Sequence, residues 1–217
     1  MSQTAYDGRV VLVDHPLVQH KLSLLRDEET STKQFRDLVR ELAVIEGVEA
    51  TCDLPLEDVD VQTPLAVAHG KRLAGKKLVV VPILRAGLGM VEGLLQIVPA
   101  AHVGHLGMYR DEDTHEPVAY YAKLPEDVAE RPVIVVDPML ATGGSMSAAV
   151  QYLRGHGVAG TLRLMVLVSA PEGMQAVLST DADARIYTCA IDDGLNEDAY
   201  ILPGLGDAGD RIFGTKH

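Results

Sequence analysis

The sequence predicts an α/β fold with a mainly parallel sheet flanked by helices. Two observations carry this expectation. Short β-branched runs alternate with stretches of helical periodicity along most of the chain, the order expected of strand–helix–strand units. One run, Val133-Ile134-Val135-Val136, is apolar without interruption, as a strand is when helices cover both faces of its sheet. The 217 residues, 47% of them hydrophobic, suit a single domain over residues 1–217 whose core needs no disulfide or metal.

In chain order, the first expected element is a helix over residues 32–46. Thr30 or Ser31 offers an N-cap, and Phe35, Leu38, Val39, Leu42 and Ile45 share one face, which marks a packing helix. Strands are expected over residues 78–84, 101–108, 133–137, 161–169 and 185–190. Helices follow three of them, over residues 87–97, 145–156 and 171–179. In the second of these, Met146, Ala149, Val150 and Leu153 recur at helical spacing. Residues 109–125 read as a hairpin with the polar tip Asp111-Glu112-Asp113-Thr114-His115-Glu116. The stretch over residues 192–217 is Gly-rich and expected to be irregular yet ordered, because Ile201, Leu202, Leu205, Ile212 and Phe213 can pack. An ordered loop of that kind is a candidate binding segment. The expected core spans about 65–190 and the tail about 191–217.

A net charge of −12 disfavours a nucleic-acid partner, which usually meets a basic face. It leaves room for a small anionic substrate, provided that local Arg, Lys or backbone N–H groups overcome the global field. Cys52 and Cys189 match no metal or redox spacing, so two free thiols in a reducing compartment are expected. The first twelve residues lack the long apolar region of a secretory signal. The longest apolar runs are too short to span a bilayer. A cytoplasmic protein with no membrane partner is the expectation.

Two motif look-alikes fail on context. Gly204-Leu205-Gly206-Asp207-Ala208-Gly209 fits G-x-G-x-x-G, but the strand–helix setting and the acidic residue about twenty positions on are missing. Gly70-Lys71-Arg72-Leu73-Ala74-Gly75-Lys76-Lys77 has Lys77 where a phosphate-binding loop needs a hydroxyl for Mg²⁺, and it leads into a strand. A solvated basic turn is expected there.

The chemistry is expected where the strand over residues 133–137 gives way to a helix. This is the carboxyl end of a strand, where open α/β sheets bind ligands. Gly143 and Gly144 let the backbone turn its N–H groups inward, Thr142 and Ser145 add hydroxyls, and the helix start adds partial positive charge. The result is a cradle for a phosphate monoester. Asp137 cannot bind phosphate but can accept hydrogen bonds from ribose hydroxyls.

The stretch Val135-Val136-Asp137-Pro138-Met139-Leu140-Ala141-Thr142-Gly143-Gly144-Ser145 resembles the phosphoribosyl-diphosphate loop of the type I phosphoribosyltransferases. Its Asp-Pro-Met-Leu-Ala-Thr-Gly-Gly form is similar to the uracil phosphoribosyltransferase family. Val81-Pro82-Ile83-Leu84-Arg85-Ala86-Gly87-Leu88-Gly89-Met90, Gly107-Met108-Tyr109-Arg110, Ala170-Pro171-Glu172-Gly173 and the tail from Tyr200 to Arg211 agree with that family. The likeness runs over about residues 15–216, while residues 59–72 look unlike it.

The resemblance implies a phosphoribosyltransferase-like fold with a C-terminal base-binding hood and a β-arm, the arm covering the active site. It implies transfer of phosphoribose from 5-phospho-α-D-ribose 1-diphosphate to uracil, giving UMP and diphosphate in pyrimidine salvage. By this resemblance Asp137, Arg85 and Asp207 are catalytic. The phosphoribosyl diphosphate site takes in Arg85, Arg110, Asp137, Pro138, Met139, Leu140, Ala141, Thr142, Gly143, Gly144, Ser145 and Asp207. Uracil is met by Ile201, Gly206, Asp207 and Ala208, largely through backbone groups. Pro138 stands where many superfamily members carry a second acid, so Mg²⁺ is expected to be held mainly through substrate diphosphate, with no protein ligand assigned. GTP as an allosteric activator and a homodimer or higher homo-oligomer are implied on the same ground.

Overall fold

The computed structural model describes residues 3–110 and 117–215. An antiparallel pair, β1 (Gln3–Ala5) and β2 (Val10–Leu12), leads into helices α1 (Pro16–Arg26) and α2 (Thr32–Ala50). A hairpin of β3 (Leu56–Gln62) and β4 (Val67–Leu73) follows. The expected alternation then runs through β5 (Val79–Leu84), α3 (Leu88–Ile97), β6 (His102–Val103), β7 (His105–Arg110), β8 (Pro117–Lys123), β9 (Val133–Val136) and β10 (Met139–Leu140). It continues with α4 (Gly144–Gly155), β11 (Leu162–Ser169), α5 (Pro171–Thr180) and β12 (Ala184–Ile191). Beyond lie β13 (Gly194–Leu195), β14 (Ile201–Leu202) and α6 (Ala208–Phe213).

The central sheet has the order β1-β2-β12-β11-β9-β5-β7-β8. It is parallel from β2 to β7 and antiparallel at both edges. β9 and β11 are buried along their whole length, which accounts for their unbroken apolar runs. Phe35, Leu42, Leu94 and Tyr187 belong to one core cluster, on the side of α2 and α3. Met146, Leu153, Leu162 and Val177 belong to the other, on the side of α4 and α5. Each such fully buried side chain contributes about 1.5–3 kcal/mol.

Several details differ from the sequence expectation. The sheet recruits β2, well before the stretch of about 65–190 expected to hold the core. α2 starts at Thr32 behind the expected cap Ser31, which forms a reciprocal capping box with Gln34, but runs on past residue 46 to Ala50. The expected strand over residues 101–108 is two pieces, β6 and β7, separated at Gly104. The tail, expected to be irregular, contains α6. Asp207 caps it by accepting the Asp210 N–H, and Gly214 closes it in the left-handed conformation at φ +69°. Residues 59–72 fall in the β3–β4 hairpin, whose residues are exposed or partly exposed. Cross-strand ion pairs Glu57–Arg72 and Asp58–Lys71 and a hydrogen bond between His69 Nδ1 and Asp60 Oδ1 accompany its register. The basic turn at Gly75 is solvent-facing as expected, and its Lys76 pairs with Asp127 and Glu130.

Candidate active site

Three segments meet at the carboxyl ends of the parallel strands. The first is the loop from β9 to α4. Gly143 takes a left-handed conformation, φ +80°, at the N-cap of α4, and no side chain caps the helix. An ordinary Ser or Thr N-cap would have taken one of the first-turn N–H groups. Thr142 Oγ1 lies 3.4 Å from the Gly144 N–H, a long contact. The first turn of α4 therefore presents open donors and the positive end of its dipole to a cavity of about 100 Å³ walled by residues 139–146 and Asp137.

Two glycines bring neighbouring elements against this loop. A Cβ at Gly173, in the first turn of α5, would lie 2.3 Å from the Ala141 carbonyl oxygen and 2.8 Å from that of Leu140. A Cβ at Gly87 would lie 2.4 Å from the Val136 oxygen. Only glycine allows both approaches, because the obstructing atoms are backbone. These contacts explain the Ala170-Pro171-Glu172-Gly173 and Arg85-Ala86-Gly87 motifs in packing terms.

The second segment is the turn after β5, which carries Arg85. Its side chain is 56% exposed and donates to Asp210 Oδ1 at 3.2 Å and Thr215 Oγ1 at 3.4 Å, with its guanidinium 5.8 Å from the Phe213 ring centre. The peptide bond between Leu84 and Arg85 is cis.

The third segment is the tail. A Cβ at Gly209 would lie 3.2 Å from Asp207 Oδ1 and 3.6 Å from Arg85 Nη2, so the α6 start and the β5 turn are neighbours. Together with Asp137 they enclose a cavity of about 310 Å³, whose lining includes Ala86, Met139, Tyr200, Asp207 and Ala208. Burial pushes the Asp137 carboxyl up to about 7; the Met139 backbone N–H opposes this and the Asp207 charge adds to it. An acid so perturbed at the wall of a cleft marks a functional site.

A family model described as "Uracil phosphoribosyltransferase" matches residues 11–215. The chain belongs to that family. It is 59% identical over 207 residues to the uracil phosphoribosyltransferase of Thermoanaerobacter sp., covering 95% of this chain and 98% of that one. It is 59% identical over 209 residues to that of Streptococcus uberis, covering 96% and 100%. Among solved structures, the AQ2163 protein of Aquifex aeolicus superposes with a TM-score of 0.87 at 38% identity, covering 94% of this chain and 97% of that one. The adenine phosphoribosyl transferase of Trypanosoma brucei shares the fold, with a TM-score of 0.59 at 11% identity over 95% and 91% of the two chains. The expected phosphoribosyltransferase architecture is thus borne out.

Of the residues singled out in the sequence, Asp137, Met139, Asp207 and Ala208 line the larger cavity, and residues 139–145 line the smaller. Met139 and Asp137 border both. Pro138 is buried behind them, its carbonyl accepting from Leu167 and Val168. Ile201 is buried in the core, and Gly206, at φ +77°, borders a third cavity, of about 460 Å³, lined also by Arg26, Tyr200 and Asp207. Arg110 ends β7, and the arm's tip, residues 111–116, lies outside the described residues. The sequence reading did not single out the wall formed by Asp198, Ala199 and Tyr200. Its shape depends on Asn196, whose side chain accepts the N–H groups of Asp198 and Tyr200, with Ala199 at φ +62°. An Asn four residues before Tyr200 was the one signal available.

Proposed function

We propose that this chain transfers phosphoribose to uracil: uracil and 5-phospho-α-D-ribose 1-diphosphate give UMP and diphosphate. One observation carries the reading for a member of this family. A capless helix start suited to phosphate, a perturbed carboxyl at a strand end and the Gly-rich tail border adjoining cavities.

The 5′-phosphate sits on the N–H groups and hydroxyls of Thr142 to Ser145, and Asp137 accepts from the ribose hydroxyls. Arg85 leaves Asp210 to meet the diphosphate, and Arg110 joins it from the arm. Fixed guanidinium groups stabilise the charge that builds up as the C1–oxygen bond breaks. Uracil N1 forms the new bond to C1 as the C1–oxygen bond to diphosphate breaks, and the N1 proton passes to the departing diphosphate. Backbone groups of Ile201, Gly206 and Ala208 match the acceptor–donor–acceptor edge of uracil. Cytosine would leave a buried N–H facing an amino group, which costs enough to exclude it. The arm covers the site and keeps water from the cationic ribosyl centre.

Among the described residues no cluster of three or more His, Cys, Asp or Glu could hold a metal. We assign Mg²⁺ to substrate diphosphate oxygens and waters, beside a cavity whose lining carboxylates are Asp137, Asp198 and Asp207. When bound, Mg²⁺ neutralises diphosphate charge.

A homodimer or larger assembly belongs to the same proposal, supported by the exposed hairpin, where Leu65 is 96% exposed beside Val61 and Val67. Activation by GTP rests on the family resemblance alone. Two free cysteines, Cys189 buried and Cys52 exposed, support a reducing, cytoplasmic setting. No helix among the described residues is long and apolar enough to cross a membrane. The test is product formation with Mg²⁺ and phosphoribosyl diphosphate across uracil, cytosine, adenine and hypoxanthine. UMP from uracil alone is the expected result. Product from another base, with none from uracil, refutes the proposal.

A further inference from the structure

The turn between β14 and α6 is held by residues far from it in sequence. Arg26, the last residue of α1, donates to both carboxylate oxygens of Asp192, at 2.7 and 2.8 Å, and to the Gly204 carbonyl at 2.7 Å. Asp192 Oδ2 in turn accepts the Gly204 N–H at 2.8 Å. Both backbone groups of Gly204 are thus fixed by one ion pair. The Asp192 side chain is only 5% exposed, and that of Arg26 25%. Gly204 itself is at φ +61°, and a Cβ there would lie 2.1 Å from the Ile201 oxygen. One residue on, the Leu205 carbonyl accepts from Arg211, whose guanidinium also reaches the Asp27 carbonyl and lies 4.3 Å from the Phe35 ring centre.

Asp192 is itself anchored at the sheet. It follows β12, and its backbone N–H donates to the Ser169 carbonyl at 2.9 Å. α1 is anchored through buried Val18, Leu22 and Leu25. The ion pair therefore ties a helix, the sheet edge and the turn to one another. A buried, bidentate Arg–carboxylate pair is poor at adding stability and good at fixing geometry. Recognition through backbone groups needs such fixing, because no side chain can move to restore a displaced N–H or C=O.

We propose that Arg26 and Asp192 are positioning residues for base binding, setting the place of Gly206-Asp207-Ala208 through their hold on Gly204. This rests on the base site assigned above. The test is steady-state kinetics of the full chain with uracil and phosphoribosyl diphosphate varied separately, alongside thermal melting. Arg26→Lys keeps the charge but loses the fork. It should raise KM for uracil about tenfold, the effect of one well-placed hydrogen bond. KM for phosphoribosyl diphosphate should change by less than about twofold. Ala208→Val, at a residue that borders the base cavity while packing in the core, is the control, its fold checked by the same melts. If Ala208→Val raises KM for uracil and a folded Arg26→Lys does not, the positioning role is overturned and the base site stands. If neither raises it, the base site fails and the proposal with it. Should Arg26→Lys not fold, Arg26→Met with Asp192→Asn removes both charges of the pair and keeps an acceptor for the Gly204 N–H, and the same KM criterion applies to it.

Discussion

Asp137→Asn should make the ligand-free protein more stable while disabling it. A carboxyl raised from 3.8 to about 7 carries an ionisation penalty of about 4 kcal/mol in the folded state. The group is part-exposed at a cavity wall, so water recovers about half and roughly 2 kcal/mol remains. The sign follows from proton counting. Well below pH 3.8 the carboxyl is protonated in folded and unfolded chains alike. Between about 4 and 7 the folded chain holds a proton that the unfolded chain has lost, so wild-type stability falls as pH rises. Asparagine does not titrate. The stability difference between the variant and wild type should therefore shift in the variant's favour across that window and level off above it. By pH 8 the shift should amount to about 4–8 °C in melting temperature for a chain of this size. Paired melts from pH 4.5 to 8 measure this, and UMP formation should fall at least about a hundredfold. A difference that does not change with pH would refute the burial argument. Near-normal turnover would remove Asp137 from the site.

Three further predictions concern the site and the turn that supports it. Arg85→Ala should lower turnover by about 10²–10³ yet leave melting nearly unchanged, because its exposed pair with Asp210 stabilises by about 0–1 kcal/mol; unaltered turnover would exclude a role at the diphosphate. Asp207→Ala should lose activity and about 1 kcal/mol of cap stability, whereas Asp207→Asn should recover the melting temperature and not the activity; equal melting for both variants would deny the cap. Gly87→Ala forces a methyl group against backbone atoms at 2.4–2.8 Å and should cost about 3 kcal/mol or more, seen as a lowered melt and poor soluble yield; a wild-type melt would show that the β5 turn can give way.

What could be read from sequence was what is written locally. Four of the five expected strands appear whole and the fifth in two pieces; the runs of β9 and β11 were the most legible, because burial on both faces leaves them apolar throughout. The phosphate loop was legible for the same reason: strand end, glycines, hydroxyls and helix start are consecutive. α1 buries only three of its eleven residues, a sparse stripe that was passed over. The β3–β4 hairpin is specified by charge pairs between strands, which exist only once the register is known. α6 was hidden by Gly209 and by the glycines on either side of it, since helix propensity argues against them; the Asp207 cap and the burial of Ile212 override it. Least legible was the grip of Arg26 on Gly204, 178 residues away. No local pattern encodes a contact of that span.

The segment proposed to read the base is no detachable flap. Ile201, Leu205, Ala208 and Ile212 pack in the same core as Phe35 and Leu42, so altering which base is preferred means editing the interior. Grafting a tail from a purine-directed relative would strip that interior of its lid before it supplied a new preference, and such chimaeras should fail by aggregation rather than by changed selectivity. Retuning is better begun at Tyr200 and Leu202, whose side chains already face outward and whose replacement leaves the packing beneath them intact.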